Sequence, residues 1–225
     1  MTTATDMKID TPAPDAAPEF VARDASILII ACGALAREIV DLTRLNDWSN
    51  LAVTCLPAKL HNEPQKIPDL LRAKIRENKH RYGEIFVAYA DCGTGGMIDR
   101  VVEQEGAQRI GGPHCYSFFA GEDTFNEIAE AEIGTFYLTD YLARHFETLI
   151  LEGMGIRKYP PMRDMLFGNY TRLLYLAQTD NPELDSRAKD AAKALGLRYE
   201  KRRTGYGELA DFMAEAAASQ PKGQK

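Results

Sequence analysis

The chain has 225 residues, of which 45% are hydrophobic and 27% charged, proportions typical of a globular protein. Its net charge of -6, from 27 basic and 33 acidic residues, argues against nucleic-acid binding, which needs a basic stripe or patch. No apolar run approaches the roughly 20 residues of a membrane span. We therefore expect neither nucleic acid nor membrane among its partners.

Both ends of the chain are polar. Residues 1–24 are rich in Ala, Pro, Thr and Asp and lack the basic start and apolar core of a signal peptide. This composition predicts a disordered tail, and residues 220–225 are expected to form a second one. Without a signal peptide we expect a cytoplasmic protein, whose four cysteines are free thiols or metal ligands and not disulfides.

Strand and helix patterns alternate over about the first 115 residues. Continuous apolar runs at 26–31, 51–57 and 84–90 predict strands that are buried on both faces. Amphipathic helices are predicted between them at 34–47 and 66–80. This alternation is typical of a doubly wound, mostly parallel, Rossmann-like α/β sheet.

The pattern changes at about residue 120. Residues 120–170 are predicted to form a helical insertion, which includes a long aromatic-rich helix at 135–152. Its aromatic side chains are expected to pack in the core or to form the wall of a pocket. Strand and helix patterns then return up to a final helix, so the sequence predicts a single α/β domain over 25–219.

Three cysteines stand beside turns in the predicted sheet. Cys32 and Cys92 follow apolar strands, and Cys115 lies in a glycine-rich segment, with 60 and 23 residues separating them in order. Ligands of open α/β sheets bind beyond the carboxyl ends of the strands, so these thiols are expected to meet there and bind zinc or an iron–sulfur cluster. The alternative is that they are small buried side chains. Cys55 lies inside a strand and is predicted to pack in the core.

The turn DCGTGG at 91–96 is the second candidate. A glycine-rich turn between a strand and a helix exposes backbone N–H groups that can bind an anionic group of a substrate or cofactor. We expect Gly93, Thr94, Gly95 and Gly96 to form such a site, although the spacing is neither a P-loop nor a dinucleotide fingerprint. The alternative is a tight turn that needs positive φ angles. Asp91 of the same turn is a catalytic candidate.

Two histidines are candidate ligands or bases. His114 follows Gly111, Gly112 and Pro113, directly before Cys115. Neighbours in sequence seldom reach each other, so we expect His114 to act with Cys32 or Cys92. His61 follows the second predicted strand and could face the same crevice. A cysteine with either histidine as base would also suit a metal-free nucleophile.

Several segments resemble a known family. The segments are IIACGALAREI, LPAKLHNEP, YADCGTGG, GGPHCYSFFAG, GTFYLTDYL and LLYLAQ, and over about residues 26–180 they are similar to the domain-of-unknown-function family 1638. The resemblance implies an association with corrinoid-dependent methyltransferase systems in one-carbon metabolism. A corrinoid protein or a methyltransferase would then be a partner. The resemblance implies no catalytic residues.

Three hypotheses follow from these residues. The first is a metal-dependent methyltransferase or accessory protein, in which Cys32, Cys92 and Cys115 bind zinc or an iron–sulfur cluster and a thiol or anionic substrate is bound nearby. The second is a binding module that delivers a corrinoid or metal without catalysing a reaction. The third is a metal-free transferase or hydrolase with a cysteine nucleophile.

Overall fold

The strands form two sheets. The structure, a computed structural model, describes residues 18–21 and 25–219. In these residues the strands are β1 (Glu19–Val21), β2 (Ile27–Cys32), β3 (Leu51–Leu56), β4 (Glu84–Ala88), β5 (Gln108–Arg109), β6 (Thr135–Leu138), β7 (Arg172–Ala177) and β8 (Arg198–Arg203). Their order is β1-β3-β2-β4-β5 in the larger sheet and β6-β7-β8 in the smaller.

Helices connect most of the strands. They are α1 (Ala36–Leu45), α2 (Ile67–Asn78), α3 (Met97–Glu105), α4 (Cys115–Ala120), α5 (Glu122–Ala131), α6 (Asp140–Phe146), α7 (Met162–Phe167), α8 (Pro182–Leu195) and α9 (Gly207–Ala218). A π-helix at Glu147–Glu152 continues α6, and a 3-10 helix at Ala58–Asn62 follows β3. None of the helices in the described residues has the length and apolarity needed to cross a membrane.

The larger sheet is parallel except for its edge. Strands β2 and β3 are buried along their whole length, as their continuous apolar sequences predict. The chain passes from β2 to its neighbour β3 and then crosses to β4 on the other side of β2. The carboxyl ends of β2 and β4 therefore form a topological switch point, where α/β proteins commonly bind ligands.

The smaller sheet corrects one prediction. Residues 135–152 do not form one long helix, because 135–138 are strand β6, paired in parallel with β7. Aromatic and β-branched residues favour a strand, and the partner strand lies more than thirty residues further along the chain. Helix α6 begins only at Asp140, where the Thr139 side chain accepts a hydrogen bond from the backbone N–H of Leu142.

The predicted α/β class is confirmed, with a mostly parallel sheet of Rossmann-like topology and helices around it. Two separate hydrophobic clusters form the core, one around each sheet, and α9 returns to the first of them. Of the predicted tail at 1–24, residues 19–21 form β1, antiparallel to β3. The other residues of that tail, apart from Pro18, and the predicted tail at 220–225 lie outside the described residues.

Candidate functional site

The three predicted cysteines meet at one imidazole. The Sγ atom of Cys32 lies 3.8 Å from Nδ1 of His61, and the Sγ atom of Cys92 lies 3.6 Å from Nε2. Cys115 lines the same cavity as His61 and interacts with its ring, which helps to raise the pKa of His61. The sequence placed these thiols in three distant segments, and the fold brings all three to His61.

Each cysteine is positioned by a strand end or by the loop that follows it. Cys32 is the last residue of β2, and its sulfur accepts a hydrogen bond from the backbone N–H of Ala34. Cys92 lies in the turn after β4 with a φ of 50°, which is unusual for a non-glycine residue. Its backbone N–H donates to the Pro113 carbonyl at 3.1 Å, which ties this turn to the loop before Cys115.

The backbone fixes which nitrogen of His61 is available. His61 lies in the 3-10 helix after β3, and Nδ1 is 3.0 Å from the carbonyl oxygen of Ala58. A carbonyl oxygen can only accept, so Nδ1 carries a proton and donates it there. In the neutral ring Nε2 then keeps its lone pair, directed towards Cys92.

The cysteines differ in their electrostatics. Burial raises the pKa of the Cys32 thiol, but the charge of His61 and the hydrogen bonds from His61 and Ala34 outweigh burial and lower it. The charge of Cys32 in turn raises the pKa of His61 well above its ordinary value. At Cys92 burial dominates and raises the pKa of the thiol. Cys32 and His61 thus favour an ion pair, whereas Cys92 favours the neutral thiol.

The glycine turn is closed by Asp91. Its carboxylate accepts hydrogen bonds from the Thr94 hydroxyl at 2.7 Å and from the backbone N–H groups of Gly95 at 3.1 Å and Gly96 at 2.8 Å. Burial would raise the pKa of Asp91, but these hydrogen bonds lower it. Of the N–H groups expected to bind an external anion, those of Gly95 and Gly96 therefore already donate to an internal carboxylate. Positive φ angles at Gly93, Gly95 and Gly96 agree with the alternative prediction of a tight turn.

His114 lies apart from the imidazole of the cluster. It is exposed, and its ring packs beside Tyr116 with the centroids 6.4 Å apart. Its carbonyl oxygen accepts a hydrogen bond from the Ser117 hydroxyl at 2.7 Å. The histidine that contacts the sulfurs is therefore His61. Cys55 is buried within β3, as predicted, and burial raises the pKa of its thiol.

A largely apolar cavity of about 210 Å³ adjoins the cluster. His61 and Cys115 line it from the side of the larger sheet, whereas Thr139, which follows β6, and Tyr141 of α6 line it from the side of the smaller sheet. The cavity therefore lies between the carboxyl edges of the two sheets. The rest of its wall is largely apolar and includes Ala34, Ala58, Tyr116, Phe136, Leu142, Leu149, Ile150 and Met154.

Two contributors to the site were not predicted. The Tyr89 ring stacks on His61 with the centroids 6.5 Å apart, and the Ala58 carbonyl sets the tautomer of His61. Tyr89 is the second-last residue of the apolar run before Asp91, a position that could have suggested it. A backbone carbonyl leaves no signal in the sequence.

Cysteine sulfurs and an imidazole are ligands that thiophilic metals prefer, although the side chains here do not surround a single point. Within residues 18–21 and 25–219, no group of three or more His, Cys, Asp or Glu side chains is arranged to bind a metal ion. The 3.6 Å between Cys92 Sγ and His61 Nε2 is nevertheless close to the separation of two zinc ligands. Bonds of about 2.3 Å to sulfur and about 2.0 Å to nitrogen at a tetrahedral angle place such ligands about 3.5 Å apart.

The fold and site define an α/β protein with a thiol–imidazole cluster at a topological switch point. Comparison with family models gives a match to "Protein of unknown function (DUF1638)" over residues 55–213. This match spans more than half of the chain, so the chain belongs to that family, as the sequence resemblance indicated. No curated protein and no solved structure matches it. The matched range includes His61, Cys92 and Cys115, whereas Cys32 precedes it.

Proposed function

We propose that the cluster binds a thiophilic metal ion, zinc in the first instance, and that the protein acts in methyl transfer within one-carbon metabolism. The observation that carries the proposal is the meeting of three thiols from three separate segments of the chain at His61. Thiolate and imidazole are the ligands that zinc prefers, and thiolates also bind iron–sulfur clusters. Four free cysteines are consistent with a cytoplasmic protein.

His61 is oriented as a metal-binding histidine usually is. Such a histidine donates one ring N–H to a carbonyl or carboxylate and binds the metal through the other nitrogen. In this chain Nδ1 donates to Ala58, and Nε2 faces Cys92. We propose His61 Nε2 and the sulfurs of Cys92 and Cys115 as ligands, with Cys32 as the fourth. Loading the ion would require these side chains to close around it.

The size of the adjoining cavity suits a small substrate. Its volume of about 210 Å³ lies below the roughly 300–1,000 Å³ of pockets for drug-sized ligands. A bound zinc ion would keep a thiol substrate deprotonated and nucleophilic at neutral pH. The apolar wall, including Leu149 and Ile150, would exclude water from that thiol and pack against its carbon chain. Asn62 and Thr139 provide polar groups on the same surface.

A corrinoid is too large for such a cavity. We therefore propose that a methyl-corrinoid is presented by a partner protein, and that this chain binds the methyl acceptor. This favours a methyltransferase or its accessory protein over a module that itself carries the corrinoid. The role of a partner follows from the family resemblance and the cavity size together.

The test is metal analysis of anaerobically purified protein together with its absorption spectrum. We expect about one zinc ion per chain, or iron with sulfide and a brown colour. C32S, C92S and C115S should each lose most of the metal, whereas C55A, which removes the thiol inside β3, should retain it. Folded native protein without metal would contradict the proposal.

One observation favours a metal-free alternative. The Cys32 sulfur lies 3.8 Å from His61 Nδ1, and the two groups favour a thiolate paired with an imidazolium, an arrangement that activates a cysteine nucleophile. In that case C32S alone should abolish activity, and chelators should have no effect. The metal proposal predicts loss of metal from all three variants and sensitivity to chelators.

A further inference from the structure

The cavity beside the thiol–imidazole cluster has no charged side chain in its wall apart from that cluster. Among the described residues that line it, none is an aspartate, a glutamate, a lysine or an arginine. Beyond the cluster and the tyrosine hydroxyls, its polar side chains are Asn62 and Thr139, and Thr139 already accepts a hydrogen bond from the backbone N–H of Leu142. A charged group on a ligand would lie there without a counter-ion, and burying an unpaired charge is costly. The wall therefore favours an uncharged ligand.

Three aromatic rings line the same cavity, those of Tyr116, Phe136 and Tyr141. The ring of Tyr116 stacks on Tyr137 with the centroids 5.3 Å apart, and Phe136 meets Phe167 edge to face, also at 5.3 Å. Neither Tyr137 nor Phe167 lines the cavity, so these contacts hold the two rings from outside it. Aromatic pairs attract each other in offset and edge-to-face arrangements, and a pre-formed wall lowers the cost of binding. The wall therefore suits a ligand that contains an aromatic ring.

One side of the cavity is formed by a π-helix. Leu149 and Ile150 belong to the π-helix at Glu147–Glu152, and both line the cavity. The backbone of His145, just before that helix, departs from helical geometry at φ −109°. Segments of π-helix are rare and frequently lie at functional sites. This backbone feature is independent of the chemistry of the wall, and it also points to a ligand at this cavity.

The volume limits the ligand to one small ring. A cavity of about 150 Å³ engineered in another protein binds benzene. By the same ratio, the volume of about 210 Å³ accommodates about eight non-hydrogen atoms. This is the size of a benzene ring with a short substituent.

We propose that the cavity binds a small uncharged aromatic thiol. Its ring would lie among Tyr116, Phe136 and Tyr141, and its sulfur would be directed towards His61 and Cys115, which line the same cavity. This inference rests on the proposed function in treating the cavity as the substrate site, and it adds the class of substrate. The ring occupies the apolar part of the cavity, whereas the thiol reaches the cluster at which the metal is proposed to bind.

The test is an anaerobic calorimetric titration of the full chain, first without metal and then with zinc. The probes are benzyl alcohol, benzyl mercaptan and benzylamine, which are equal in size. Without metal, the two neutral probes should bind saturably, and benzylamine, which is charged at neutral pH, should bind at least about tenfold more weakly. Zinc should strengthen the binding of benzyl mercaptan at least about tenfold relative to that of benzyl alcohol, because zinc binds thiolates.

A variant that fills the cavity provides a second measurement. L149W places a larger side chain in the wall and should weaken the binding of benzyl alcohol at least about tenfold. L45W is the matched control, because Leu45 is exposed at the end of α1 and lies outside the cavity. It should bind benzyl alcohol like the native protein.

Two results with the native protein would overturn the inference: no saturable binding of benzyl alcohol, or equal affinities for benzyl alcohol and benzylamine. Both are measured without the variants, so they decide the matter even if L149W fails to fold. Zinc-loaded protein that binds benzyl mercaptan no more tightly than benzyl alcohol would overturn the assignment of a thiol. Protein that takes up no zinc but prefers the neutral probes would contradict the proposed metal site and support the inference about the cavity.

Discussion

The carboxyl edges of the two sheets hold polar clusters of opposite character. At the smaller sheet, Asp140 is fully buried and accepts hydrogen bonds from the Tyr175 hydroxyl at 2.7 Å and from the backbone N–H groups of Gln178 and Thr179 at 3.1 Å. At the larger sheet, the sulfurs of Cys32 and Cys92 lie 3.8 and 3.6 Å from His61, which is itself exposed.

The two polar clusters therefore have different roles, one in stability and the other in binding. The Asp140 carboxylate is satisfied by its own chain, and such networks rigidify the structure. The thiol–imidazole cluster lies beside a cavity and makes long contacts, so its groups remain available to a metal ion or substrate. The first cluster should therefore affect mainly the free energy of unfolding, and the second mainly binding.

The largest effect is expected at Asp140. D140A should lower the free energy of unfolding by about 3–5 kcal/mol, because four donors lose their buried acceptor. Urea denaturation would measure the change. The exposed Asp164 provides the control, and D164A should change stability by no more than about 0.5 kcal/mol. A loss under about 1 kcal/mol in D140A would remove the contrast between the two edges.

The second prediction concerns the pH dependence of the free energy of unfolding, which we expect to arise from Glu38 of α1. Burial and, to a lesser extent, the charge of Asp140 raise the pKa of Glu38 from 4.5 to about 7, although a backbone hydrogen bond and the charge of Arg144 oppose the shift. The unfolded chain then releases this proton at lower pH than the folded chain does. Stability should fall as pH rises from about 4.5 to about 7, by about 3 kcal/mol in total, and stay level above that range.

The variant E38Q should remove that slope. Denaturation of the native protein and E38Q at about pH 5 and about pH 8 would measure it, with E38Q the more stable protein at the higher pH. Parallel pH profiles of the two proteins would show that Glu38 is not the group responsible.

The smallest effect in free energy is expected at His61. Loss of groups that only orient a ligand lowers metal affinity about 10–100-fold, so H61Q, which removes a ligand, should lower zinc affinity at least about 100-fold. Competition with a chromophoric chelator would measure it. H114Q is the matched control, since His114 is exposed and packs beside Tyr116. Equal losses in both variants would contradict the assignment of His61.

Much of the larger sheet could be predicted because burial on both faces leaves a continuous apolar run in the sequence. The runs at β2, β3 and β4 mark these strands, and the residues after them mark the carboxyl edge. Strand β6 was missed because its partner β7 is distant and its aromatic residues fit a helical period equally well. Strand β1 was missed because it has only three residues and lies in a polar segment.

The sequence by itself determined the α/β class and the placement of Cys32 and Cys92 at strand ends, because hydrophobic period and turn residues are local properties. Only the tertiary structure decided that these thiols meet at His61 and not at His114, since strand order and backbone hydrogen bonds between loops set that geometry. The tertiary structure also decided that the carboxylate of Asp91 accepts hydrogen bonds from the N–H groups of Gly95 and Gly96. Contacts between distant segments leave no periodic pattern in the chain, and their chemistry follows from the folded arrangement.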